Sequence, residues 1–299
     1  MNTLRDIGED ALIRRLTSLL PLATDPAAGP GDDCAVIGLQ GASPALTLLK
    51  TDALVEHVHY LPDAAASDVG WKAIARVVSD FAAMGGTPDR FLITLALPGE
   101  TPVAWVESLY QGMAACMIRF GGLLAGGETT SVPEGSARVI SVAATGTVRR
   151  EHLTLRSTAN IGDAIFVTGT LGGSIRGKHL TFEPRSAEAS WLAKHAKPSA
   201  MMDISDGLAK DLPRLAAASG CGFRLDPSAI PASPGCTLEQ ALGDGEDFEL
   251  LITLPPGNIP RLSQWPAGFP ALTRIGTITA AGDSDNLTGG WEHFGNFRI

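Results

Sequence analysis

Strand-like and helix-like segments alternate along most of this 299-residue chain, and one polar, turn-rich stretch, VRREHLTLRSTANIGD at 148–163, interrupts the alternation. A chain patterned this way covers its sheets with helices, since each element needs an apolar face to bury. Ahead of the break, ALTLLKTDALV (45–55), RFLITLALP (90–98) and ARVISVAATGTV (137–148) read as strands. Between them, 67–86 and 103–122 read as helices. The first has Ser67 as its N-cap, Trp71, Ile74, Val78 and Phe81 at three- and four-residue spacing, and Gly85-Gly86 as its stop. After the break, strands are expected at 164–169, 200–205, 222–226, 246–254 and 274–282. A helix is expected at 207–220, kinked or restarted by Pro213. The expected fold class is mixed α/β in two domains, 1–148 and 149–299, each a β-sheet flanked by helices.

With 44% hydrophobic and 18% charged residues, the chain can form a substantial core. Its 23 basic against 32 acidic side chains leave −9, which argues against a nucleic-acid partner. Cys34, Cys116, Cys221 and Cys236 form no C-x-x-C pair, so neither a zinc knuckle nor a redox motif is signalled. The first twenty residues carry charges throughout and read as an amphipathic helix rather than a signal peptide. No apolar run reaches membrane-spanning length. A reducing cytoplasm is the expected location.

The acids fall where elements end or glycines allow close approach. Asp32 and Asp33 open the strand region near 35, Asp52 interrupts an apolar strand, and Asp80 lies near a helix end. Glu128 follows Gly126-Gly127, and Asp203 and Asp206 mark a strand-to-turn junction in MMDISDG. On the helix at 67–86, Asp80 shares a side with Lys72, Arg76 and Ser79, opposite the apolar stripe. Taken alone, that is a solvated helix face. Asp52 would need an edge strand or a hydrogen-bonded turn to be explained as blandly.

Converging carboxylates call for a cation. With no HExxH and only His57 and His59 close together among six histidines, Mg²⁺ or Mn²⁺ is favoured over Zn²⁺. The run GGSIRGKH (172–179) nearly fits a P-loop, but His179 stands where a hydroxyl should meet Mg²⁺. These glycines are expected to serve a loop.

Taken together, GDDCAVI (31–37), TDALVEHVHY (51–60), GWKAIARVVSDFAAMGGTP (70–88), GGETT (126–130) and LRSTANIGDAIFVTGTLGGS (155–174) resemble the thiamine-monophosphate kinases. So do HLTFEPR (179–185), MMDISDGLAKDL (201–212), GDGEDFELLIT (243–253) and GGWEHF (289–294), in the same order. Aminoimidazole ribonucleotide synthetase and selenophosphate synthetase belong to the same superfamily. The resemblance implies a homodimer built on the N-terminal sheet, with no membrane or nucleic-acid partner. It implies transfer of phosphate from ATP to thiamine monophosphate, with several Mg²⁺ ions. The metal ligands would be Asp33, Thr51, Asp52, Asp80, Glu128, Asp203 and Asp206, with Asp52, Asp80, Asp203 and Asp206 carrying the chemistry. ATP would meet Gly127, Glu128, Arg156, Ser205 and Tyr110, and thiamine monophosphate would meet His59, Glu246 and Trp291.

The implied chemistry suits the residues. A phosphate monoester has a second pKa of about 6 and is mostly dianionic near neutrality, so its oxygen needs no general base. The obstacle is repulsion between two phosphates, which metal ions relieve. His59 has a structural hydrogen bond as its plainer reading, and Trp291 a core anchor instead of a stack on the thiamine ring. The chain departs from the family pattern at Glu128 (usually Asp), His57 (usually Gly), Asp244 (usually Gly) and in LRSTA (155–159). A different phosphorylated acceptor and a catalytically silent nucleotide or thiamine-phosphate binder are the alternative readings.

Overall fold

The computed structural model describes residues 3–22 and 30–294. Two five-stranded sheets organise it. The elements run α1 (Leu4–Thr17), β1 (Ala35–Ile37), β2 (Ala45–Val55), α2 (Ala66–Ala83), β3 (Thr87–Pro98), α3 (Val103–Phe120), β4 (Leu123–Val132) and β5 (Val139–Arg149). They continue with β6 (Ala164–Thr168), α4 (Lys178–Thr181), α5 (Ser186–Trp191), β7 (Ala200–Ile204), α6 (Leu208–Ala218), β8 (Cys221–Leu225), α7 (Leu238–Gly243), β9 (Glu249–Leu254) and β10 (Leu272–Ala280). The first sheet has the order β1-β2-β5-β3-β4, antiparallel except for the parallel β3–β4 pair. The second has the order β7-β9-β6-β10-β8 and is antiparallel throughout.

Alternation in the first sheet sets which side is covered. Leu46, Leu48, Leu54, Phe91, Ile93, Leu95, Ile140 and Val142 pack against α2 and α3. On the other side no helix of the described residues lies over the sheet, and Ile37, Leu49 and Leu92 stand exposed there. Strands β6, β7 and β9 are instead buried at every residue, as befits strands covered on both faces.

Helix α2 joins the halves. It touches β2, β3 and β5 on one side, and α4, α5 and β7 on the other. Fourteen of its 18 residues are buried, which rules out a solvated face. Helix α3 lies close against it: a Cβ on Gly70 would sit 1.9 Å from the Leu109 carbonyl oxygen, and one on Gly112 would sit 1.8 Å from that of Ser67. Ser67 itself is inside α2, and Ala65 occupies the N-cap.

Three further local points differ from the sequence reading or were absent from it. Helix α1 breaks its helical geometry at Gly8 (φ 69°) and buries none of its residues, so it is not an amphipathic helix docked on the core. Pro213 does not restart α6, which runs through it at the loss of one backbone hydrogen bond. Strand β4 was not legible, because LLAGGETTSV lacks an alternating apolar pattern and its first nine residues stay exposed.

Candidate functional site

The polar side of α2 faces the second sheet, and the acids meet there. Oxygens of Asp33, Asp80 and Asp203 lie within 4.8 Å of one another, and all three residues are buried. Asp33 precedes β1, Asp80 comes from the last turns of α2, and Asp203 closes the apolar run of β7. Cations from neighbouring elements hold the group. Lys50 Nζ donates to Asp80 at 2.7 Å, the Arg156 guanidinium donates to Asp33, and the Arg156 backbone N–H donates to Asp32 at 3.0 Å. Ser79 Oγ donates to Asp203 at 2.6 Å.

Burial, followed by the charge of Asp33, pushes the Asp203 carboxyl up to about 6 and the Asp32 carboxyl to about 7. Burial drives Asp80 well above the usual carboxylate range, and Asp203 and Asp52 add to this against the pull of Lys50. The group is thus costly to ionise without a cation. One atom is conspicuous: Asp33 Oδ2 is buried and has no hydrogen-bond partner among the described residues. An orphan carboxylate oxygen beside two further buried carboxylates fits a hard divalent ion, whose oxygen ligands stand about 2.0–2.1 Å from Mg²⁺.

Beside the acids lies a cavity of about 320 Å³, walled in part by His59, Arg76, Asp206, Glu246 and Trp291. Lys72, fully buried on α2, donates to the His59 carbonyl at 2.7 Å and to Glu246 Oε2 at 2.5 Å. His179 Nδ1 stands 2.9 Å from the same ammonium. Burial would raise the Glu246 carboxyl, but Lys72, His179 and Arg76 together hold it down at about 2. Burial also lowers the His59 imidazole to about 4, so it is neutral near pH 7, and its Nδ1 accepts from the Val55 N–H at 2.9 Å. The turn that carries Ser205 and Asp206 is fixed from below: the buried Asp211 carboxylate accepts both backbone N–H groups, at 3.0 and 2.9 Å.

The family description "AIR synthase related protein, N-terminal domain" matches residues 31–148, and its C-terminal counterpart matches residues 172–285. Curated thiamine-monophosphate kinases are similar over nearly the whole chain. That of Rhodopirellula baltica is 36% identical, over 90% of this chain and 87% of its own. That of Escherichia coli is 32% identical, over 97% and 98%. The chain belongs to the thiamine-monophosphate kinase branch of the AIR synthase related family. A solved structure described as "AaThiL complexed with AMPPCP and TMP" superposes with a TM-score of 0.85 at 30% identity, over 98% of this chain and 99% of that one.

The structure gathers His59, Glu246 and Trp291 at one cavity and Asp33, Asp80 and Asp203 at one cluster. The solvated-face reading of Asp80 is overturned, because the second half of the chain covers that side of α2. Asp52 stands nearby but is paired with Arg76 at 3.1 Å. Asp206 joins the cavity wall, paired with Arg214 at 2.6 Å, and not the cluster. Ser205 lines the cavity too.

Thr51 and Glu128 are not brought to the acids within one chain. Alternation puts Thr51 on the open side of the first sheet, opposite Asp52. The register Asp52–Val142, Val142–Ile93, Ile93–Gly127 places the Glu128 neighbourhood three strands from Asp52, roughly 14 Å at about 4.8 Å per strand. Gly127 is required by packing, since a Cβ there would lie 2.0 Å from the Ile93 carbonyl oxygen. Tyr110 packs against the first core from α3 and is not among the cavity's wall residues.

Two departures have local explanations. His57 has φ +65°, a left-handed conformation that suits glycine. Asp244 has an ordinary helical φ of −64° and accepts the Gly173 N–H at 2.8 Å. Together with Asp247, which accepts the Gly172 N–H at 2.9 Å, it occupies the backbone donors that a P-loop would offer to phosphate. Sequence reasoning missed Lys50, Lys72 and Asp211 as parts of the site. The sole signal for the lysines was a cation on a strand or helix face already marked by an acid.

Proposed function

We propose that this chain transfers the γ-phosphoryl group of ATP to the phosphate of thiamine monophosphate, yielding ADP and thiamine diphosphate. The observation that carries the reading is the placement of the buried Asp33, Asp80 and Asp203 next to a cavity walled by Trp291, His59 and Glu246. Asp33, Asp80 and Asp203 would hold Mg²⁺, with Asp52 adjacent. Magnesium bound there supplies charge neutralisation of the phosphates and holds them in line.

The remaining contributions come from the chain itself. Trp291 and Glu246 present an aromatic face and a carboxylate to a cationic thiazolium. Lys72 and His179 fix Glu246 in place, and Asp211 fixes the turn of Ser205 and Asp206 at the cavity wall. Arg156, beside Asp32 and Asp33, would serve the nucleotide side. The acceptor is already an anion, so no residue has to remove a proton from it. Transfer is direct, without a phosphorylated side chain.

In the same reading the two sheets mark two domains dividing near residue 148. The uncovered side of the first sheet pairs with a second copy, and the enzyme works in the cytoplasm. The test is ADP release from ATP and Mg²⁺ with thiamine monophosphate, against a blank without acceptor. Acceptor-dependent release with thiamine diphosphate as product supports the proposal. Release with a different phosphate ester alone, binding without release, or a chain that becomes phosphorylated by ATP alone would refute it.

A further inference from the structure

Arg76 has no part in the reading above, yet it stands between its two halves. On α2 the residues Lys72, Arg76 and Asp80 follow at four-residue intervals and so share one side of the helix. Lys72 is at the Glu246 end and Asp80 is in the carboxylate cluster. Arg76 occupies the turn between them and lines the cavity.

Lys72 has little left to offer an anion, since His59, His179 and Glu246 surround its ammonium. Arg76 has much to offer. Its guanidinium carries five N–H donors. One terminal nitrogen is 3.1 Å from Asp52 Oδ1, and the other donates to the Ala53 carbonyl at 3.2 Å. Its Nε is buried and has no hydrogen-bond partner among the described residues. Among the described residues lining the cavity, Arg76 is the sole Lys or Arg, and Asp206, Asp244 and Glu246 are the acids. The cavity is therefore polarised, with carboxylates and an aromatic ring for a cationic body and one guanidinium for an anionic end.

We infer that Arg76 binds the phosphate of the acceptor, with Asp52 and the Ala53 carbonyl as the braces that aim it, and so selects phosphorylated over unphosphorylated acceptors. A planar fork held by a carboxylate on one edge presents its free edge to phosphate in a fixed direction. The inference rests on the proposed reaction for the identity of the acceptor, and its test separates the two.

The experiment measures binding, by calorimetry without ATP, of thiamine monophosphate, thiamine and inorganic phosphate. It compares the unaltered protein with Arg76→Met and with Arg76→Gln, which keeps a polar amide without the charge and serves if the Met variant fails to fold. In both variants thiamine monophosphate should weaken at least about tenfold, as loss of a charge-assisted contact implies, with thiamine unchanged. Equal loss for both thiamine compounds in a folded variant, or no loss for either, overturns the inference. If the unaltered protein binds neither thiamine compound, the proposed substrate is wrong. Arg76 is then judged on inorganic phosphate alone, where weakening in the variants upholds an anion site and unchanged binding overturns it.

Discussion

The Lys72 ammonium and the Glu246 carboxylate, 174 positions apart in the chain, meet at 2.5 Å between α2 and the turn that leads into β9. The contact ties the first half of the molecule to the second at the rim of the cavity. It also explains why Lys72, which looks like a surface residue by type, is completely buried.

Breaking that pair should cost up to about 3–5 kcal/mol, because the buried carboxylate left behind loses its ammonium and keeps only His179 as a direct partner among the described residues. Lys72→Met is therefore expected to lower stability in urea unfolding strongly, and the double variant Lys72→Met with Glu246→Gln to recover part of the loss. The pair also sets a pH window. Glu246 is held at about 2 against an unperturbed 4.5, so its stabilisation is complete above pH 4.5 and disappears as pH falls toward 2. The stability difference between the unaltered protein and Glu246→Gln should shrink across that interval. A difference that stays constant from pH 5 to pH 2 would contradict the ion pair.

The carboxylate cluster predicts an opposite slope. Asp203 is raised to about 6, so its ionisation disfavours the folded chain: the stability it contributes is complete below 3.8 and declines as pH rises through about 6. Without added metal, Asp203→Asn should be the more stable protein at pH 8, by on the order of 1–3 kcal/mol, while losing turnover. Mn²⁺ or Mg²⁺ should raise the melting temperature of the unaltered protein at pH 8 and do so less at pH 5.5, where protons compete for the same oxygens. A metal-induced shift that survives in Asp203→Asn, or that ignores pH, would place the ion elsewhere.

How much of this was legible in the sequence depended on what each segment had to bury. Strands β2, β3 and β5 alternate because one side is covered, and β6, β7 and β9 are mostly apolar, without alternation, because both are; each was located to within a few residues. Strand β4 escaped because glycines and threonines at an exposed edge leave no such mark. Among site residues, the acids were visible as anomalies beside glycine or inside apolar strands. Their cations were not. Lys72, Arg76 and Asp80 form a polar side of α2 that looks the same in sequence whether water or a second sheet lies over it. Packing between distant segments decided the matter, and one chain's periodicity does not encode that.

His57 offers a test of local strain apart from chemistry. At φ +65° a side chain costs more than a glycine does. His57→Gly should stabilise the protein by about 0.5–1 kcal/mol, net of the greater freedom that glycine gives the unfolded chain. Urea unfolding at fixed pH measures it. Equal or lower stability in the variant would mean that the His57 side chain makes compensating contacts of its own.

The uncovered side of the first sheet supplies the last prediction. Strands β2, β5 and β3 have 11, 11 and 12 residues, roughly 35 Å each, and five strands span roughly 20–24 Å. That is an area on the order of 800 Å², about what each partner contributes to a stable interface. Leu92 is 49% exposed near the centre of that face, with Leu49 at 39% and Ile37 at 51% toward the β1 edge. Exposed apolar side chains on a face that no described helix covers suit burial against another surface. Sedimentation of the unaltered protein should show a dimer. Leu92→Glu would bury an unpaired carboxylate at the centre of each interface, so it should run as a monomer whose circular dichroism spectrum is unchanged. A monomeric unaltered protein, or a Leu92→Glu variant that remains dimeric at the same concentration, would show that this side of the sheet is not where two copies meet.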